Sequence, residues 1–131
     1  MKIDSPDAVT LGHVWTRLQA SADEMEATYQ REAFSSALAD EGECAAIVCG
    51  PGGETWTQGS SSNPFQSALL SLWISAWRDW EATEEPGTIW VSNDPYVGGS
   101  SLCDMRMAVP IFFGGERVAV LACSGHVGDV G

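Results

Sequence analysis

The sequence predicts an α+β fold, with two helices packed on a mainly antiparallel sheet made of hairpins. Three observations carry this expectation. Apolar residues recur at helical spacing in two separate stretches. Short apolar or alternating runs flank glycine-rich turns, and no internal repeat or linker interrupts the pattern.

Taken in order, Ser5-Pro6 reads as a helix N-cap followed by proline at the first helical position. From there Leu11, Val14, Trp15, Leu18, Ala22, Met25 and Tyr29 fall on one face of a helix running to about Arg31. That face is expected to pack on the core, while Asp23, Glu24, Glu26 and Gln30 form a solvated face. A coiled coil would need more heptads than this stretch supplies. His13, next to Trp15's turn, reads as a packed or surface histidine. Cys44–Cys49 reads as a short buried strand, Gly50-Pro51-Gly52-Gly53 as a turn and Glu54–Gln58 as an alternating second strand. After the Gly59–Ser62 loop, Asn63-Pro64 starts a second helix, with Gln66 placed to complete a capping box. Leu69, Leu70, Trp73, Ile74, Trp77 and Trp80 lie along it, an apolar stripe that calls for cover on more than one side. Pro86-Gly87 closes the helical region, and Thr88–Ser92 reads as a strand. Met105–Phe113 and Arg117–Cys123 form the last hairpin, turning at Gly114-Gly115. Pro110 inside its first strand predicts an edge position or a bulge.

At 131 residues, of which 44% are apolar, residues 1–131 make a single domain with enough apolar matter for a core. Eighteen acidic residues against six basic ones give a net charge of −12, which phosphate backbones and anionic membranes repel; nucleic acid and membrane are not expected partners. No run approaches the roughly 20 apolar residues of a membrane span, and the polar N-terminus lacks the apolar core of a signal peptide. A cytoplasmic location is expected, with Cys44, Cys49, Cys103 and Cys123 as reduced thiols. Six tryptophans are a heavy aromatic load for this length, typical of cores and of partner interfaces.

The densest group of functional candidates is the loop Asn93-Asp94-Pro95-Tyr96-Val97-Gly98-Gly99-Ser100-Ser101-Leu102-Cys103, ending at Asp104. Asn-Asp-Pro sets up a turn after a strand, and the paired glycines let the backbone approach another surface closely. A plain connecting loop with an Asx turn is the alternative; length and placement between strands favour function as much.

The segment from Asn93 to Gly131 resembles the hydantoinase B family, which includes the large subunits of acetone and acetophenone carboxylases. Its pattern N-D-P-Y-x-G-G-[ST]-H-x-P-D, followed by a P-x-F strand and H-H-x-D-x-G, is matched at Asn93, Asp94, Pro95, Tyr96, Gly98, Gly99, Ser100, Asp104, Pro110, Phe112, His126, Asp129 and Gly131. Val9-Thr10-Leu11, Arg17-Leu18, Glu24-Met25, Ala27-Thr28 and Arg31-x-Ala33-Phe34-Ser35 resemble the family's opening helix. The resemblance covers nearly all of this chain but only the first part of a family member.

The departures are equally informative. The resemblance implies a metal site built from the histidine of G-G-[ST]-H, the aspartate three residues later and a histidine of the H-H pair, a donor set suited to Mn, Fe or Zn. Here Ser101 stands at the first histidine, Asp104 and His126 remain, and Val127 replaces the second histidine of the pair. The family's H-x-P-x-H segment aligns with Ser62 to Gln66, where both histidines are also gone. Asp104 and His126 are therefore the metal candidates retained from the family pattern, in a site that the resemblance implies is dismantled. A thiolate-rich zinc site using Cys103 and the Cys123-x-x-His126 spacing is the rescue to weigh; buried apolar cysteines are the simpler reading, since no close cysteine pair anchors such a site. Serine catalysis at Ser100 or Ser101 is disfavoured because no histidine neighbours them in sequence.

The resemblance implies a multisubunit ATP-dependent enzyme in which hydantoinase A-type subunits bind ATP and phosphorylate the substrate and a full-length B-type subunit carries the remaining chemistry. The expectation is that this chain is a small, non-catalytic accessory subunit of such a complex, partnered by large A-type and B-type subunits. ATP and divalent metal then belong to the partners, with no cofactor in this chain. Acetophenone carboxylase, which converts acetophenone and bicarbonate to benzoylacetate, is the leading candidate. The alternative is the split N-terminal half of a metal-dependent hydantoinase, oxoprolinase-type hydrolase or carboxylase, with Asp104 and His126 as working ligands.

Overall fold

A computed structural model describes residues 5–77 and 85–129. The elements run α1 (Ala8–Arg31), α2 (Ser36–Ala39), β1 (Cys44–Cys49), β2 (Thr55–Gln58), α3 (Pro64–Trp77), β3 (Trp90–Ser92), β4 (Asp104–Phe113) and β5 (Glu116–His126). The five strands form one sheet in the order β2-β1-β5-β4-β3, with every neighbouring pair antiparallel. The fold is α+β, with helices packed on an antiparallel sheet of hairpins.

β1 is buried along its whole length, because it is internal to the sheet and has α1 on one face and α3 on the other. On the α3 face, Ile47, Cys49, Ala108, Val120 and Ala122 pack with Leu70, Trp73 and Ile74 to form the core. Trp73 is 1% exposed, so it serves this chain's own core. Phe65 and Leu72, on the same helix, remain more than half exposed. The predicted stripe residue Trp80 lies outside the described residues.

Pro110 is accommodated as its chemistry requires. β3 pairs only with Arg106–Ala108, so at Pro110 the strand has β5 as its one neighbour, and a register shift follows between Ile111 and Phe112. The positive φ values of Gly114 and Gly115 turn the hairpin into β5.

Three local expectations are corrected. The N-cap of α1 is Asp7, whose Oδ1 accepts from the Val9 and Thr10 amides at 2.9 and 3.0 Å and whose Oδ2 accepts from the Thr10 hydroxyl. A carboxylate here satisfies two orphan amides and favours the helix dipole, which the upstream serine at position 5 does not match. The faces of α1 follow periodicity only in its second half, where Ala22 is buried, Leu18, Met25 and Tyr29 are partly buried and Glu24 is exposed. Residues 8–17 are exposed throughout, Leu11, Val14 and Trp15 included. The supposedly solvated face instead docks on the β2–α3 turn: Asp23 accepts from the Ser60 amide at 2.7 Å, and buried Glu26 accepts from the Ser61 amide at 3.1 Å. Backbone donors of a tight turn need acceptors, and carboxylates on the helix supply them. Finally, the short α2 carries no periodic signal; it places Leu38 against Gly125, where a Cβ would overlap the leucine side chain.

Candidate functional site

Strand alternation builds the site. Asp104, Arg106 and Ala108 point to the α3 face of β4, and Ser124 and His126 lie opposite Arg106 and Asp104 on β5. The first turn of α3 closes the same end of the sheet. Its cap is Asn63, whose Oδ1 accepts from the Phe65 and Gln66 amides. Gln66 therefore does not complete a capping box. Its side chain turns inward, donating to Asp104 Oδ1 at 3.4 Å and accepting from Ser124 Oγ at 2.9 Å.

Asp104, 2% exposed, is the hub. Its Oδ2 accepts from the Ser100 amide at 3.1 Å, the Ser101 amide at 2.9 Å and the Ser100 hydroxyl. Its Oδ1 accepts from Gln66 and from His126 Nδ1, at 3.0 Å. Burial alone raises a carboxyl pKa, but the Ser100, His126 and Gln66 hydrogen bonds outweigh it and hold Asp104 well below the usual carboxylate range. An acceptor-only carboxylate opposite Nδ1 makes that nitrogen the donor.

The loop from Asn93 to Cys103 is tied down along its length. Asn93 Nδ2 donates to the Leu102 carbonyl at 3.1 Å, and Asp94 Oδ1 accepts from the Tyr96 amide at 2.9 Å in the expected Asx turn. Gly98, at φ +67°, lies against Trp73, where a Cβ would stand 2.5 Å from the tryptophan Cβ. A Cβ at Gly99 would overlap Arg106 Nη1. Arg106 is 1% exposed, donates from Nη2 to the Asp94 carbonyl at 2.6 Å and lies 5.8 Å over the Trp73 ring. Burial lowers its pKa while Asp104 and Asp94 act in the opposite direction. Tyr96, by contrast, is exposed.

The structure thus brings Asp104 and His126 together with Ser100 and Gln66, which the resemblance already marks, and adds Ser124 and Arg106, which the sequence reading does not single out. Arg106 was within reach, because the i, i+2 spacing from Asp104 on a strand puts both on one face. Ser124 comes from another strand, and no local pattern joins it to Asp104; Gln66 is joined to it only through the family resemblance. The thiolate rescue meets a geometric obstacle. Residues 123 and 126 are three apart on β5, which puts Cys123 on the α1 face and His126 on the other. Burial also raises the Cys123 thiol to about 11.

As arranged, the donor set does not fit a metal ion within this chain. Five donors already share the roughly four lone-pair directions of the Asp104 carboxylate. Ser101 Oγ accepts from the Cys103 amide at 3.2 Å. Among the described residues, no group of three or more His, Cys, Asp or Glu side chains comes together. Nor, among them, is any helix long and apolar enough to cross a membrane.

This is an α+β domain in which the buried Asp104, paired with a partly exposed His126, ties a glycine-rich Asn-Asp-Pro-Tyr loop to the end of an antiparallel sheet. The Hydantoinase B/oxoprolinase family profile matches residues 7–131, and the chain belongs to that family. It is 26% identical over 125 residues to 5-oxoprolinase 1 of Arabidopsis thaliana, covering 95% of this chain and 10% of that protein. It is likewise 26% identical over 129 residues to the B-type subunit of a putative D-/L-hydantoinase of Pseudomonas sp. (strain NS671), covering 95% of this chain and 22% of the relative. The chain therefore spans about a tenth to a fifth of the length of these relatives. The fold matches a nucleotide-free acetone carboxylase structure with a TM-score of 0.79 at 22% identity, over 92% of this chain and 16% of that one. It also matches an ATP-dependent caprolactamase from Pseudomonas jessenii with a TM-score of 0.75 at 24% identity, over 98% and 22% of the respective chains.

Proposed function

We propose that this chain is a non-catalytic accessory subunit of an ATP-dependent complex of the hydantoinase and carboxylase type. The observation that carries this reading is the state of Asp104: its oxygens are taken up by protein donors; the resemblance adds that a serine, Ser101, stands where a histidine is expected. In this reading the carboxylate is a fastening point for the loop. Catalytic metal and ATP sit in cytoplasmic A-type and B-type large subunits. Acetophenone carboxylase is the complex we favour, with acetophenone and bicarbonate as substrates.

The test is co-expression with the A-type and B-type large subunits, followed by ATP-dependent carboxylation of acetophenone with and without this chain. The expected result is a complex that contains the chain, needs it for full activity and keeps turnover within about threefold when His126→Ala is introduced. A metal ligand or general base contributes roughly 10²-fold or more. Loss on that scale from His126→Ala, in a complex that still elutes intact, overturns the reading.

One observation favours the second reading, a split enzyme whose partner completes a metal set around Asp104 and His126. The His126 side chain is 34% exposed and so within reach of another subunit. Metal analysis of the assembled complex, subunit by subunit, separates the two: an ion held by His126 selects the split enzyme.

A further inference from the structure

The two faces of the sheet are closed to different degrees. The α3 face is buried under Leu70, Trp73 and Ile74. On the α1 face the register aligns Ala46 of β1 with Cys123 of β5, Met107 of β4 and Val91 of β3. Ala46 is fully buried, whereas Val91 is 57% exposed and Ile89, just before β3, is 63% exposed. Between these limits runs an open groove of about 330 Å³, lined by Met25, Tyr29, Ile89, Met107, Val109 and Leu121 among others.

A strand face that meets water in an antiparallel sheet ordinarily alternates with polar side chains. On β4 the positions turned to this face, Met105, Met107, Val109 and Ile111, are all apolar and only partly buried. The composition is that of a covered face. From β5 to β3 the open strip is two inter-strand spacings wide, about 10 Å. Neighbouring helices pack at about 8–10 Å. One helix laid beside α1 therefore fills it.

Two facts bear on what that helix belongs to. The family relatives extend far past the stretch matched here, which is 10% of one and 22% of another. The chain also carries 18 acidic against 6 basic residues, so a helix with basic flanks approaches it favourably and an acidic one does not. We propose that the groove between α1 and β3 docks one amphipathic, basic-flanked helix of a separate hydantoinase B-type subunit. This rests on the accessory-subunit reading and gives that reading its contact surface.

The test measures affinity between the full chain and the B-type subunit of the same organism, by titration calorimetry. Ile89→Glu and Val91→Glu place a charge in the groove at exposed positions that the core does not need, and Leu121→Arg does so at its floor. Leu72→Glu, on the exposed side of α3, is the control, and near-UV circular dichroism checks that each variant keeps its fold. Each groove variant is expected to weaken binding by about 30-fold or more, as central contacts do, and the control by less than about threefold. Wild-type binding with groove variants unchanged and Leu72→Glu weakened overturns the groove and leaves the subunit reading standing. Failure of the wild-type chain to bind any B-type subunit overturns both.

Discussion

If Asp104 is a fastening point, replacing its charge while keeping its shape should loosen the loop. Asp104→Asn is the sharpest perturbation. The asparagine retains one acceptor oxygen and gains an NH₂ group with two donors. Turned so that its oxygen faces the Ser100 and Ser101 amides, it presents NH₂ to His126 Nδ1 and to Gln66. The histidine can answer by changing tautomer and the glutamine by flipping its amide, which then disturbs the bond from Ser124. What no rearrangement restores is the charge under Ser100 and Ser101. Hydrogen bonds to a charged group contribute about 1.5–3 kcal/mol each and are not additive, so a loss of about 2–4 kcal/mol at pH 7 is expected. Urea unfolding followed by tryptophan fluorescence measures it. The pH dependence gives a second check. The folded-state pKa of Asp104 is depressed, so between the folded and unfolded values the unfolded chain binds the extra proton. The carboxylate's contribution is therefore present above the ordinary carboxylate pKa of about 4 and is lost as pH falls below it. The asparagine variant lacks this dependence, and the gap between the two proteins should narrow from about pH 4 downward. Equal stability at pH 7, or a gap that stays constant to pH 3, would refute the fastening role.

Three further outcomes follow from the packing. Gly98→Ala and Gly99→Ala should each destabilise by more than about 2 kcal/mol in the same urea assay, since a Cβ meets Trp73 or Arg106. Gly114→Ala, at φ +61° with nothing nearby, should show only the left-handed penalty of about 1–2 kcal/mol. Trp73→Ala should cost about 3–5 kcal/mol in the isolated chain, before any partner is added, because the side chain is 1% exposed in the chain's own core. Gly125→Ala should push α2 away from β5, seen as faster amide hydrogen exchange at Ala39 and Asp40, whose amides bond to Ser35 and Ser36 carbonyls.

What could be read from sequence divides by the range of the interaction that decides it. Each of the predicted strands and both predicted helices form, because two- and 3.6-residue periodicity and turn glycines are local signals. Pro110 correctly announced a place where the ladder thins and shifts. The faces of α1 depart from the periodic reading in its first half, and at Asp23 and Glu26, for a long-range reason. Periodicity says which residues share a face, but not whether anything lies under it, and among the described residues nothing covers Leu11, Val14 or Trp15. The acids at Asp23 and Glu26 are held because a serine turn, far away in sequence, offers them backbone donors. Gln66 departs from the capping box for a related reason: the Asn63 amide is already taken by the Cys44 carbonyl, and Asp104 and Ser124, on the sheet beneath α3, offer the Gln66 side chain an acceptor and a donor.

The departures at Ser101 and Gln66 belong together once the fold is known. Both residues reach the same carboxylate, one through its backbone amide and one through its side chain. A histidine in either place would offer a ring nitrogen suited to a metal; with serine and glutamine there, the oxygens of Asp104 are engaged by hydrogen bonds that hold the loop. The other face of the sheet tells the complementary story. Its β4 positions remain apolar where water would favour polar residues. A polar site closed upon itself and an apolar face left open are what a domain needs if its work is to be held by another chain. The two properties can be separated by experiment: Asp104→Asn should lower the chain's own stability with little effect on the groove, and Val91→Glu should do the reverse. If one substitution moved both quantities alike, the two faces would not be independent, and the division of labour proposed for them would fail.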